Sequence, residues 1–192
     1  MESSAGKFSA HHYAAILAKY AEDFLSFHSV LTLDPPEWAI LRHDVEFSLV
    51  RATQIARWDR EFGVTSTFFL QVGAGAYNLA EPSAKVHLEE IAELGHEIGL
   101  HLYVPENLSP TRRHLEKELD FQRTIIEGVL GSEIQAFSFH RPPSWVLKIR
   151  EDRIGGIVNA YGPSFFEYSP TPQAIRYLAD SRHAFDYGDP LS

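Results

Sequence analysis

The chain has 192 residues, 44% of them hydrophobic and 22% charged, the make-up of one soluble domain with a core of its own. Its 17 Lys and Arg against 26 Asp and Glu leave a formal charge of −9, which argues against nucleic acid or an anionic membrane surface as the main partner. With no cysteine, disulfide scaffolds, thiolate zinc sites and cysteine nucleophiles are excluded. Residues 1–27 lack the basic segment, apolar run and cleavage site of a signal peptide. No stretch approaches the roughly 20 apolar residues of a membrane span, so the sequence reads as cytoplasmic.

Short β-rich runs alternate with helical patterns, with no internal repeat or linker, so residues 1–192 read as one domain with a helical lead-in over 1–36. Apolar residues at helical spacing, from Tyr13 and Leu17 to Phe24 and Phe27, predict a helix over 12–27. Pro35 and Pro36 break the chain, and 38–41 reads as a first strand. Ser48 is placed to cap a helix running to Phe62, with Gly63 as its stop. Residues 64–70 read as strand two, and a helix from Ser83 ends at Gly95. Residues 98–102 read as strand three, 109–129 as a long charged helix, and 134–139 as strand four. Beyond Pro142 the pattern weakens, leaving 156–161 and 175–179 as candidate strands. The alternation predicts an α/β fold on a parallel sheet, with barrel and doubly wound forms both open.

Polar residues cluster where the strands end. Arg42-His43-Asp44-Val45-Glu46 follows strand one, His101 and Tyr103 close strand three, and His140-Arg141-Pro142-Pro143 follows strand four. In parallel α/β folds these C-terminal ends open on one face, where active sites are built. Asp44 and Glu46, two apart, would point to the same side of an extended segment. One carboxylate could then ligate a divalent metal while the other takes a proton from water. His101 adds a nitrogen donor, and Arg141 could hold a carboxylate or clamp a substrate oxygen. Each residue alone also has an ordinary reading. Asp44 could be a helix cap, Glu46 a solvated loop acid, His101 a core histidine and Arg141 a surface ion-pair partner. His96 reads as a backbone-bonding structural residue, and His11, His12, His28, His87 and His114 as solvated.

Four segments carry a family resemblance: Arg42-His43-Asp44-Val45-Glu46, residues 65–70, residues 95–101 and residues 137–143. Together they resemble the polysaccharide deacetylase superfamily (the NodB-homology, carbohydrate esterase family 4-like group), in that family's order. The nearest likeness is to the branch with an Arg-His-Asp-Val-Asp first motif, which residues 177–181 also resemble. The resemblance implies a distorted, incomplete (β/α) barrel and hydrolysis of an acetyl group from a carbohydrate substrate at a divalent metal, zinc by family habit. By position, Asp44 matches the catalytic base, Glu46 a metal-ligating Asp, His101 the first metal histidine and Arg141 the arginine lining the groove. Tyr103, Pro142 and Trp145 are the substrate-binding candidates.

The sequence departs from the pattern in three places. Glu46 stands for Asp, whose extra methylene shifts the carboxylate by more than the ~0.2 Å a ligand distance tolerates. The second metal histidine falls on Pro105; Tyr103, Glu106 or His140 would replace it, His140 by preference. The chain ends at Ser192, short of the family's C-terminal catalytic histidine, and His183 is not matched to it. An early end implies a fragment or a short form whose sheet closes differently, and an open sheet edge would favour a homo-oligomer. The departures keep a second expectation open, a non-catalytic carbohydrate-binding relative.

Overall fold

In the computed structural model, residues 9–166 are described. Their helices are α1 (Ala10–Tyr20), α2 (Phe27–Leu33), α3 (Leu49–Glu61), α4 (Pro82–Glu93) and α5 (Arg112–Leu130). Their strands are β1 (Arg42–Val45), β2 (Thr67–Leu70), β3 (Glu97–Tyr103), β4 (Ala136–His140), β5 (Arg153–Ile154) and β6 (Ile157–Asn159). The strands form one sheet in the order β1-β2-β3-β4-β6-β5, parallel throughout except for the antiparallel β5–β6 pair. From β1 to β4 each strand lies beside its predecessor, and the right-handed crossovers stack α3, α4 and α5 on a single face. That singly wound order belongs to barrels, since doubly wound sheets reverse direction and carry helices on both faces. The expected α/β architecture is present, and among the described residues the sheet remains open. No described helix is long and apolar enough to cross a membrane.

Three sequence expectations are corrected. The helix expected over 12–27 is two helices. Asp23 and Leu25 instead exchange backbone hydrogen bonds with Ala39 (2.8 and 2.9 Å), and the Ser26 hydroxyl accepts from Ser29 N to start α2 afresh. Strand one is not 38–41 but Arg42–Val45, paired in register Arg42 to Thr67 through Val45 to Leu70. Residues 156–161 carry β6 and the close of a hairpin, because Gly155 and Gly156 at φ 57° and 85° form the tight turn that positive φ allows. The candidate strand at 175–179, the branch-like segment 177–181 and His183 lie outside the described residues. The remaining helices fall within a few residues of expectation, with Ser48 accepting from Arg51 N and Gly95 in the left-handed conformation.

Alternation along the strands builds two unlike faces. Val45, Phe68, Leu70, Leu100, Leu102, Phe137 and Phe139 point toward the helices, meeting Ala56, Leu88, Ile91, Leu115, Leu119 and Ile126 in the main core. Phe69, Ala136 and Val158 point to the opposite, inner face, whose lower end is plugged by Phe27 and Val30 of α2 and by Phe165. Burying each such large side chain contributes roughly 1.5–3 kcal/mol, so α2 is held by apolar area at the inner face's lower end. Gly99 in β3 makes room for this plug: a Cβ there would sit 2.6 Å from the Phe69 ring and 2.8 Å from Ala136 O.

Candidate metal centre

Above the apolar plug the inner face turns polar. Asp44 in β1, Glu46 just past it, His101 in β3 and His140 at the end of β4 converge there at the C-terminal edge of the sheet. The donor atoms of Glu46, His101 and His140 lie within 4.8 Å of one another. Glu46 Oε1 is 3.0 Å from His140 Nδ1 and 3.5 Å from His101 Nε2, and the two ring nitrogens are 3.3 Å apart. Donors about 2.1 Å from a tetrahedral ion stand roughly 3.4 Å from one another, so this triangle has the size a zinc-like cation requires. Two imidazoles and one carboxylate are also the donor set of catalytic zinc sites that keep a fourth position for water or substrate.

Glu46 reaches this triangle because its longer side chain starts one residue beyond the strand end, where an aspartate on β1 could not follow. His101 is 2% exposed, and burial holds its pKa below the ordinary histidine value against the opposing pull of Asp44. A neutral imidazole is the form that ligates metal. Its other nitrogen, Nδ1, is buried with no hydrogen-bond partner among the described residues, so it lacks the outer partner that usually fixes a metal-binding ring.

Asp44 Oδ2 stands 3.9 Å from His101 Nε2 and stays in reach of solvent, its side chain 33% exposed. Arg42 grips it from the same face of β1: Nη2 donates to Oδ1 at 2.9 Å and to Oδ2 at 2.7 Å, and Nε donates to Oδ1 at 3.2 Å. The same guanidinium donates to Ser138 and lies over the rings of Phe69 and Tyr161 at 5.2 and 5.5 Å. Burial works to raise the Asp44 pKa, but Arg42, His101 and His43 outweigh it and hold the carboxyl below its usual range.

The carboxylate-holding role foreseen for Arg141 therefore falls to Arg42, which the sequence reading quoted without a role. The signal was available: residues two apart on a strand share a face. Arg141 instead leaves β4 exposed at φ 44°, a left-handed conformation uncommon outside glycine. Tyr103 is 49% exposed and its ring centroid lies 6.4 Å from that of His140. Pro142 is half-buried, and Trp145 is half-buried against the main core. His43, on the opposite face of β1, stays out of the cluster and binds Asp59 Oδ2 at 3.0 Å. His96 takes the structural place expected of it, with Nε2 2.8 Å from Ala56 O. His87, expected to be solvated, is half-buried with Nδ1 3.0 Å from the Thr53 hydroxyl.

The sequence matches no protein-family model and no curated protein sequence. Solved structures do resemble the fold. Streptococcus pyogenes deacetylase PplD, in complex with acetate, superposes with TM-score 0.50 at 14% identity, over 70% of this chain and 64% of that one. A CE4 family pseudoenzyme from Bacillus anthracis gives TM-score 0.47 at 18% identity, over 62% and 41% of the two chains. A family 4 acetyl xylan esterase from Clostridium thermocellum, in complex with cobalt, gives 0.38 at 20% identity, over 52% and 46%. The chain thus spans between 41% and 64% of the length of these structures. The likeness is one of fold.

Proposed function

We propose that this chain is a metal-dependent hydrolase that removes an acetyl group from an N-acetylated sugar or glycan precursor. The observation that carries the reading is the triangle of Glu46, His101 and His140 with the Asp44 carboxylate beside it. Its fold likeness to a deacetylase points the same way. A divalent ion held by that triangle, zinc by its donor set, supplies Lewis acidity and makes hydroxide accessible near neutral pH. The protein's own part is proton handling and positioning. Asp44, reached by solvent on one side and held by Arg42 on the other, accepts the proton released as water attacks the acetyl carbonyl. Arg42 keeps that carboxylate fixed and ionised, and Tyr103, Pro142 and Trp145 form the sugar side of the groove with Arg141 on a substrate oxygen.

Acetate release from N-acetylated sugars with added zinc, cobalt or manganese tests the reading, alongside elemental analysis of the purified protein. The expected result is one tightly held ion per chain and activity lowered about 100-fold or more in Asp44→Asn. No activity on any acetylated sugar, or equal rates for wild type and Asp44→Asn, would overturn it.

One observation favours a second reading, a carbohydrate-binding relative without catalysis. Arg42 engages both oxygens of Asp44 and depresses its proton affinity, which makes a poorer base. Glycan binding that persists in metal-free protein supports this reading over the first.

A further inference from the structure

Beside the metal triangle lies a cavity of about 380 Å³ that the hydrolytic reading leaves unused. Its wall includes His140 and Tyr103 on one side, Phe121 and Gln122 of α5 on another, and Gln71 and Gly73 beyond the end of β2. A volume of a few hundred Å³ lies in the range of small-molecule sites. Two aromatic residues border it with unusual exposure, Phe121 at 61% and Tyr103 at 49%. The Tyr103 backbone is clamped: Gln122 Nε2 donates to its carbonyl at 2.7 Å, and its N–H donates to Gln122 Oε1 at 3.3 Å. Gln71 is pinned likewise, its N–H donating to the Tyr77 hydroxyl at 2.9 Å, which donates on to Val45 O. Yet the Gln71 side chain, 8% exposed, keeps a buried amide nitrogen with no partner among the described residues. Buried donors are ordinarily satisfied, and an orphan on a cavity wall is one a ligand can satisfy.

We propose that this cavity is a subsite for a neutral, hydroxyl-rich sugar ring next to the ring being deacetylated, a specificity that rests on the carbohydrate reading of the same groove. Phe121 and Tyr103 offer apolar faces to the C–H surface of a pyranose, and the Gln71 amide bonds a ring oxygen or hydroxyl. Neutrality follows from the lining: no Lys, Arg, Asp or Glu contributes to it. A phosphate or carboxylate there would lose its water without gaining a cation, in a chain of net charge −9. The subsite therefore selects an uncharged oligosaccharide over a sugar phosphate or uronic acid.

Cellobiose, which carries no acetyl group, tests the subsite separately from the hydrolysis. Titration calorimetry should show binding to wild type that weakens about fivefold in Phe121→Ala and in Gln71→Leu, the loss of roughly 1 kcal/mol in each case. The metal content should not change, and cellobiuronic acid should bind less tightly than cellobiose. No cellobiose binding to wild type, unchanged affinity in both variants, or preference for the acid would overturn the proposal. Phe121 is exposed, so its truncation leaves the core intact and the result readable. Cellobiose binding without acetate release would sink the hydrolase reading alone, and acetate release without cellobiose binding would sink the subsite alone.

Discussion

The two faces of β1 carry polar clusters of opposite character. On the inner face, Arg42 and Asp44 sit with Glu46, His101 and His140 at an edge that solvent reaches. On the helix face, His43 joins a closed network. Asp59, fully buried, binds His43 Nε2 at 3.0 Å, the Ser66 hydroxyl at 2.7 Å and the Tyr13 hydroxyl, while Ser66 passes on to His96 at 3.0 Å. The difference lies in satisfaction. The helix-side network closes on itself and ties α1, α3, β1 and β2 together, so it reads as structure. The inner cluster gathers donors about one point and leaves His101 Nδ1 without a partner, which protein interiors avoid unless a ligand or ion repays it. Histidines and acids are present on both sides, so residue type alone does not separate a site from a scaffold.

The comparison breaks most sharply at His101. His101→Ala should lower metal affinity by more than the roughly 100-fold that loss of an outer partner costs, as read by metal titration. Thermal unfolding of the metal-free variant should still be cooperative. If the variant holds its ion as tightly as wild type, the inner cluster is scaffold too.

Asp59→Ala should do the reverse, leaving metal affinity unchanged while costing about 3 kcal/mol in urea unfolding, because three hydrogen-bond partners are stranded in a dry core. A loss under about 1 kcal/mol would mean that water re-enters and satisfies them.

The smallest effect sharpens the picture through pH. Burial lowers the His96 pKa below its ordinary value of 6.5, so the unfolded chain binds this proton more readily than the native one. The contribution is therefore complete above about pH 6.5 and is lost as the pH falls through the native value. In His96→Gln the drop in unfolding free energy between pH 7 and 5 should be shallower, by about 1 kcal/mol. An identical slope in both proteins would remove His96 from the account.

Much of this was legible before any coordinates. The caps at Ser48 and Gly95, the strand-helix alternation and the apolar strand faces follow from local rules, since each needs only its neighbours in sequence to act. The gathering of Asp44, Glu46, His101 and His140 was also foreseen, because parallel strands deliver their C-terminal ends to one edge. The strand boundary at 38–41 was not, and its shift to Arg42–Val45 changed the chemistry. Once Arg42 lies on the strand it shares a face with Asp44, and the guanidinium expected from Arg141 is supplied four ångströms of sequence away rather than across the sheet.

Sequence by itself determined the elements, their order and the residue types available at the sheet's edge, because periodicity, capping and turn chemistry are local. Tertiary structure decided which of those residues meet. Pairing with β2 set the register of β1, and register sends His43 to a sealed network and its neighbours Arg42 and Asp44 to an open groove. A strand's side-chain period of two makes that division absolute, and only its partner strand can say where the counting begins.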